Sequence, residues 1–189
     1  MGIKENLAVV FPGQGSQKVG MLSDYADSEI LKSTFSEASD ALGYDVWQTV
    51  IDGPQEKLNL TEITQPILLT SSIALWRIWL DRQGSLPAFF AGHSLGEWSA
   101  LVASGVVAFA DAVTLVRSRG RYMQEAVPAG EGAMAAIIGL DDDIVEGICR
   151  ELSVDGVVSA VNYNSPGQLV IAGNAAPVDE AVIKCREAG

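Results

Sequence analysis

A serine between two glycines is the residue of this sequence best placed to do chemistry. The segment Gly92–Gly96 reads Gly-His-Ser-Leu-Gly and matches the pattern Gly-x-Ser-x-Gly. The apolar run 88–91 predicts a buried strand before it, and residues 97–103 predict a helix after it. This context predicts a tight strand-to-helix turn that presents Ser94 as a nucleophile for acyl transfer. The alternative is a serine with a purely structural role in such a turn.

Acyl transfer also needs hydrogen-bond donors for the oxygen that becomes negatively charged. One candidate is the backbone N–H of Leu95, at the positive end of the predicted helix. The other is the backbone N–H of Gln14, in a glycine-rich turn after the predicted strand 7–11. A dinucleotide fingerprint is excluded here, because Lys18 stands where its third glycine belongs. A Walker phosphate loop is excluded because the turn lacks its Gly-Lys-Ser/Thr ending.

Arg119 is the most informative charged residue. It belongs to the predicted helix 111–126 and follows Val116 by three residues, which puts it on the helix's apolar face. Arg117 and Arg121 point to the opposite side, where we expect solvent. An unpaired buried guanidinium would cost about 3–5 kcal/mol, so Arg119 needs an anion: either a structural carboxylate or the carboxylate of a substrate. The apolar or small residues of this face are Ala112, Val113, Leu115, Val116, Gly120 and Met123.

Two other features suggest chemistry less strongly. His93 is the single histidine, but adjacent residues in a strand-to-helix turn project in different directions. We therefore expect His93 to pack or to stabilise the turn, and not to serve as the base for Ser94. The acidic run Asp141–Asp143 begins a predicted helix, whose positive end carboxylates stabilise. No metal site is predicted, because neither a histidine nor a second acidic cluster accompanies it.

The elements that position these residues divide into two parts. The Pro- and Gly-rich segment 128–132 predicts a boundary between them, with domains at 1–130 and 131–189. The order in the second part is βαββα, a ferredoxin-like unit that lacks its last strand, so we expect the chain to be truncated. The predicted elements are strands 7–11, 88–91, 133–138, 157–161 and 169–172, helices 30–41, 64–82 (with Pro66 in its first turn), 97–103, 111–126 (capped by Asp111), 141–152 and 177–188, and a turn at 162–168.

Composition excludes several classes of function. Of the 189 residues, 48% are hydrophobic and 19% charged, and the net charge is −12. Such acidity opposes binding to nucleic acid and to anionic membranes. The most apolar stretch, 67–80, is too short to span a bilayer, and the N-terminus lacks the apolar core of a signal peptide. With Cys149 and Cys185 expected to be reduced, the sequence indicates a cytoplasmic protein.

At these residues the sequence resembles the malonyl-CoA:acyl carrier protein transacylase family, in its stand-alone bacterial form used in fatty acid synthesis. The likeness covers essentially the whole chain. The motifs that carry it are 11–17 (Phe-Pro-Gly-Gln-Gly-Ser-Gln), Gln65-Pro66, 92–97 (Gly-His-Ser-Leu-Gly-Glu), the helix of Arg119, 132–134 (Gly-Ala-Met) and 162–168 (Asn-Tyr-Asn-Ser-Pro-Gly-Gln).

The resemblance implies an α/β-hydrolase-like parallel-sheet domain with a smaller ferredoxin-like subdomain. It implies a ping-pong transfer of malonyl from malonyl-CoA to the phosphopantetheine thiol of acyl carrier protein, through an ester on Ser94. The amides of Gln14 and Leu95 would form the oxyanion hole, and Arg119, Gln14 and Asn162 would bind substrate. No cofactor or metal is implied, CoA enters only as part of the substrate, and a monomer is expected.

The family extends past the position of Gly189 and carries its catalytic histidine there. The resemblance therefore implies that this chain alone is inactive or nearly so, because a serine hydroxyl is a weak nucleophile without a base. Two alternatives stay open from the residues themselves. One is a serine hydrolase or thioesterase with the same turn, which would gain nothing from an inward-facing Arg119. The other is a non-catalytic fragment.

Overall fold

A computed structural model describes residues 2–128, 130–154 and 156–189, and it forms two compact units that divide between Gln124 and Glu125. The first unit contains strands β1 (Ile3–Phe11) and β2 (Leu86–Gly92), and helices α1 (Glu29–Leu42), α2 (Val46–Asp52), α3 (Gln55–Leu58), α4 (Thr61–Asp81), α5 (Leu95–Ala103) and α6 (Phe109–Glu125). The second contains strands β3 (Gly132–Ile138), β4 (Val158–Ser165) and β5 (Gln168–Asn174), and helices α7 (Asp142–Leu152) and α8 (Ala175–Ala188).

In the first unit, β1 and β2 pair in parallel, with Phe11 opposite Gly92 at their carboxyl ends. The loops that follow both strands therefore leave from the same edge of the sheet. Aromatic contacts join this sheet to α4, because the ring of Phe90 meets Trp76 edge-on at 5.2 Å between centroids. The position of both loops is thus fixed by strand register and by buried aromatic packing.

The larger core of the first unit is helical. Helix α4 lies at its centre and packs against α1 and α5. Hydrogen-bonding caps start two of the surrounding helices: Ser28 accepts from the N–H of Leu31 at α1, and Asp45 from that of Gln48 at α2. The fully buried apolar side chains of this core include Leu31, Phe35, Val46, Leu58, Ile67, Leu69 and Leu95.

The second unit is an antiparallel sheet in the order β3-β5-β4, with α7 and α8 packed on it. Period-2 alternation turns Leu169 and Ile171 of β5 inward, where they meet Val145 and Cys149 of α7. The order β3-α7-β4-β5-α8 is the βαββα order read from the sequence. The whole chain is thus a mixed α/β protein with one parallel and one antiparallel sheet.

Three local predictions were wrong, and two short helices were missed. Helix α4 begins at Thr61, so Pro66 lies inside it and not in its first turn. Helix α6 begins at Phe109, so Asp111 lies in its first turn and is not its cap. Strand β4 runs on to Ser165, so residues 162–165 belong to the strand and the turn is only Pro166–Gly167. The helices α2 and α3 were not predicted at all, because each is too short to show helical periodicity.

Among the described residues, every helix is too short or too polar to span a lipid bilayer. Within the same residues, no group of three or more His, Cys, Asp or Glu side chains is arranged to hold a metal ion.

Candidate active site

Ser94 lies in the turn between β2 and α5, at the N-cap position of the helix. Its φ of 54° and ψ of −107° are unusual for a residue with a side chain, and it is one of three non-glycine residues with positive φ in the described chain. Backbone strain of this kind costs on the order of 1–3 kcal/mol and tends to cluster at functional sites. The side chain is exposed, as the sequence predicted for a nucleophile.

The two glycines of the motif make this turn possible. A Cβ on Gly92 would overlap the backbone carbonyl of Gly96, and a Cβ on Gly96 would overlap the carbonyl of Phe11 at the end of β1. The first helical turn of α5 therefore lies directly against the ends of both strands. Any side chain at either position would push α5, and Ser94 with it, away from the sheet.

The glycine-rich turn after β1 lies beside Ser94, as the parallel register requires. The Cβ position of Gly13 is 3.1 Å from the carbonyl oxygen of His93. Gln14 follows in this turn with an exposed side chain, whose Nε2 donates to Thr61 Oγ1 at 3.4 Å. The structure thus brings the backbone of Gln14 to the same edge of the sheet as Ser94.

The backbone N–H groups of Leu95 and Gln14 are available to a ligand at this edge. The next two N–H groups of α5 are not, because that of Gly96 donates to His93 O at 2.9 Å and that of Glu97 to Ser94 O at 3.3 Å. Across the described chain, no hydrogen bond is made by the N–H of Leu95 or of Gln14. Both groups can therefore donate to a ligand, as an oxyanion hole requires.

The guanidinium of Arg119 contacts Ser94, the predicted nucleophile, directly. Its Nη2 donates to Ser94 Oγ at 3.1 Å, and its Nη1 donates to Gln65 Oε1 at 2.8 Å. The side chain is half-buried, and in residues 2–128, 130–154 and 156–189 no carboxylate lies within ion-pair distance of it. The sequence left two possible partners for Arg119, a structural carboxylate and a substrate carboxylate. The described residues do not supply the structural one.

A close helix crossing brings Arg119 to this place. A Cβ on the next residue, Gly120, would lie only 2.6 Å from Thr61 O and 2.7 Å from the Cα of Glu62, so α6 touches the first turn of α4 there. One turn further along α4, Gln65 meets Arg119. The apolar stripe of α6 is narrower than predicted, because Leu115 is 47% exposed and Met123 is 50% exposed. The buried members are Phe109, Ala112, Val113, Val116 and Gly120.

His93 and Asn162 are the other side chains considered from the sequence. His93 is exposed, and the position of a Cβ on Gly13 lies 3.3 Å from its Nδ1. Asn162 is half-buried in β4 of the second unit, opposite Val170 of β5 and next to a bulge in the strand pairing. Its membership of a substrate site therefore stays a prediction.

Gln65 is the site residue whose role sequence reasoning missed. It entered only as part of a motif and of a supposed helix start, whereas its side chain is 1% exposed and binds Arg119. A signal was present, because Thr64 and Gln65 are polar residues that immediately precede the apolar run of α4. Buried polar side chains are normally hydrogen-bonded, so a buried glutamine indicates a polar partner on a facing element.

The chemistry available here combines a strained serine, two free backbone donors and a guanidinium within hydrogen-bond distance of the serine oxygen. Serine acyl-transfer proteins use this kind of strand-to-helix turn for covalent catalysis. The sequence matches the family described as acyl transferase domain over residues 8–189. The chain belongs to that acyl transferase family.

Individual relatives agree with the assignment to this family. The malonyl CoA-acyl carrier protein transacylase of Escherichia coli K12 is 60% identical over 96% of this chain and 59% of its own length. The structure of the transacylase of the same name from Coxiella burnetii is 49% identical, with a TM-score of 0.94 over 98% of this chain and 59% of that one.

A third relative is seen with a partner. It is a malonyl-transacylase in complex with its type II PKS acyl-carrier protein, 53% identical, with a TM-score of 0.92 over 96% of this chain and 59% of that chain. The chain therefore spans about three fifths of the length of the relatives it matches.

Proposed function

We propose that this protein transfers a malonyl group from malonyl-CoA to the phosphopantetheine thiol of an acyl carrier protein. In the first half-reaction Ser94 Oγ attacks the thioester carbonyl carbon. The C–S bond breaks, CoA leaves as its thiol with the serine's proton, and a malonyl ester stays on Ser94. In the second half-reaction the carrier thiol attacks the ester carbonyl carbon, a new C–S bond forms, the C–O bond to Ser94 breaks, and the proton of the carrier thiol passes to the serine oxygen.

The observation that carries this proposal is the position of Arg119. A guanidinium 3.1 Å from the nucleophile, whose acceptors are Gln65 and Ser94 and not a carboxylate, retains a positive charge for an anionic acyl group. Malonyl ends in a carboxylate two bonds beyond the carbonyl carbon that Ser94 attacks. An arginine guanidinium binds such a carboxylate through charge-assisted hydrogen bonds. A hydrolase of neutral acyl chains would gain nothing from this charge.

The free N–H groups of Gln14 and Leu95 support an oxyanion hole for the tetrahedral intermediate. We assign Arg119 and Gln14 to substrate binding and keep Asn162 as a further substrate-binding candidate. No metal or bound cofactor enters this scheme, because the nucleophile, the backbone donors and the cation are all protein groups.

The finer description of fold and setting belongs to the same proposal. Residues 1–130 would be the N-terminal part of an α/β-hydrolase-like domain, supported by the parallel β1–β2 pair and the turn at Ser94. Residues 131–189 would be a ferredoxin-like subdomain without its last strand, supported by the order of β3 to α8.

A cytoplasmic, monomeric enzyme that binds neither membrane nor nucleic acid fits the acidic net charge of −12 and the two free, buried cysteines.

Acylation by the 189-residue chain alone should be slow. Its one histidine, His93, occupies the residue directly before Ser94 and is expected to stabilise the turn. A serine without a base is a weak nucleophile. We therefore expect acyl-enzyme to accumulate over long incubation and turnover to be low.

Intact-mass spectrometry after incubation with malonyl-CoA tests the proposal. The expected result is a mass increase of one malonyl group, mapped to the peptide of Ser94 and reversed by holo acyl carrier protein. The Ser94→Ala variant should show no increase. Ser104→Ala is the matched control, because this exposed serine lies at the other end of α5, and it should be acylated like the parent. An adduct that survives in Ser94→Ala would refute the assignment of the nucleophile.

A further inference from the structure

Gln65 lies between Arg119 and the interior of the first unit. Its side chain is 1% exposed, its Oε1 accepts from Arg119 Nη1 at 2.8 Å, and its Nε2 donates to Met123 Sδ at 3.3 Å. Both ends of the amide are therefore occupied by groups of α6. The amide cannot rotate without breaking one contact, so it holds the guanidinium in a fixed orientation.

The second nitrogen of the same guanidinium points to Ser94 Oγ. A long arginine side chain has many rotamers, and a fixed fork loses less freedom when it binds a carboxylate. The contact with Gln65 removes that freedom before a ligand arrives. A ligand carboxylate can then replace Ser94 Oγ as the acceptor of Nη2 while Nη1 stays on Gln65.

The chemical type of the acceptor matters as much as its place. A glutamate has the same shape as glutamine and would hold the guanidinium more tightly, but it would also neutralise its charge. The neutral amide of Gln65 orients Arg119 and leaves its charge for a ligand. A role in packing alone would be met by an apolar side chain of similar volume.

We propose that Gln65 is the positioning residue that orients the charged guanidinium of Arg119 for the carboxylate of the acyl group, and so sets the preference for carboxylated acyl donors. This inference rests on the proposed function and names the residue that gives its substrate-binding arginine a defined direction. Gln65 acts through Arg119 and does not touch the reacting atoms.

The test measures dissociation constants for malonyl-CoA and acetyl-CoA by calorimetry, with all variants built on Ser94→Ala so that no acyl transfer occurs. The parent should bind malonyl-CoA at least about 10-fold more tightly than acetyl-CoA, the range expected for hydrogen bonds to a charged group. Gln65→Glu and Gln65→Leu should each remove most of that preference. Thr70→Val is the matched control on α4, because this buried hydroxyl donates only to Pro66 O, and it should keep the preference.

A double-mutant cycle separates positioning from general damage. In an Arg119→Ala background, Gln65→Leu should leave the ratio of the two dissociation constants unchanged, because Gln65 has nothing left to orient. If both Gln65 variants keep the parent's preference, or if Gln65→Leu lowers it equally with and without Arg119, the positioning role is wrong. If the parent itself shows no preference for malonyl-CoA, the proposed substrate is wrong.

Discussion

At the residue scale, the positive charge of Arg119 is not compensated by either of its acceptors, because Gln65 Oε1 and Ser94 Oγ are both neutral. Arg77 shows the contrast within the same unit, since its Nη1 lies 2.7 Å from a carboxylate oxygen of Glu37. Arg119 therefore has no anionic partner among the described residues, whereas Arg77 already has one. This difference between two half-buried arginines cannot be seen in their local sequence patterns.

Removing the charge of Arg119 should separate malonyl from acetyl donors. We expect Arg119→Ala to slow malonylation of Ser94 on the order of 10²-fold, because the ligand carboxylate loses its charged partner, and to leave acetylation within a few-fold of the parent. Timed intact-mass measurements with each donor provide both rates.

Arg117→Ala is the matched control for that change. It removes the same charge from the same helix, but its guanidinium donates to Leu42 O and lies 5.9 Å from the ring centre of Tyr44, away from Ser94. It should alter both rates equally. A malonyl-specific loss in Arg117→Ala would show that overall helix charge, and not contact with Ser94, selects the donor.

At the element scale, the approach of α5 to the sheet depends on glycine. We expect Gly96→Ala to destabilise the protein by about 1–3 kcal/mol, because the added Cβ overlaps the carbonyl of Phe11. Urea unfolding followed by circular dichroism measures the change. The loss should be accompanied by slower acylation, since Ser94 moves with the start of α5.

Gly147→Ala is the paired measurement. Gly147 is also helical, in α7, but a Cβ there meets nothing within 4 Å. Alanine should therefore stabilise the protein by about 0.5–1 kcal/mol through helix propensity. If the two substitutions changed the free energy of unfolding equally, backbone contact would not be the reason why Gly96 must be a glycine.

At the scale of the whole molecule, each of the two units contains its own intrinsic probe of unfolding. All four tryptophans, at 47, 76, 79 and 98, lie in the first unit, and both cysteines lie in the second. The buried cores of the units share no residue. Because the second unit is the smaller, we expect its thiols to become reactive at a lower urea concentration than the tryptophan fluorescence midpoint. Coincident midpoints would show that the units unfold as one.

The same thiols predict a pH dependence. Burial raises the pKa of Cys149 and Cys185 above the ordinary value of 9.0, with smaller contributions to Cys149 from Cys185 and Glu146. The folded state therefore disfavours the thiolates, so this contribution to stability is complete below about pH 9 and is lost as the pH rises further. Replacing both cysteines with alanine should make the free energy of unfolding less dependent on pH above about 9. An unchanged dependence would assign the effect to other groups.

Much of the fold could be predicted because the relevant signals are local. Apolar runs ending in glycine predicted the strands that meet Ser94, and the βαββα order of the second unit followed from alternation and turns. The errors occurred where tertiary contacts overrule local preference. Pro66 fits inside α4, and the exposed Leu115 sits beside a stripe that only the packing of α6 on α4 defines.

The sequence by itself determined the type of chemistry: a serine in a glycine-flanked turn, the two backbone donors proposed for it, and an arginine on the apolar side of a helix. These follow from short-range steric effects and from the helical period, and both depend on residues only a few positions apart. Only the tertiary structure decided that Arg119 reaches Ser94 and that Gln65 accepts a hydrogen bond from it. That contact joins three segments more than twenty residues apart, through a helix crossing at Gly120 so close that no side chain fits, and no local pattern encodes it.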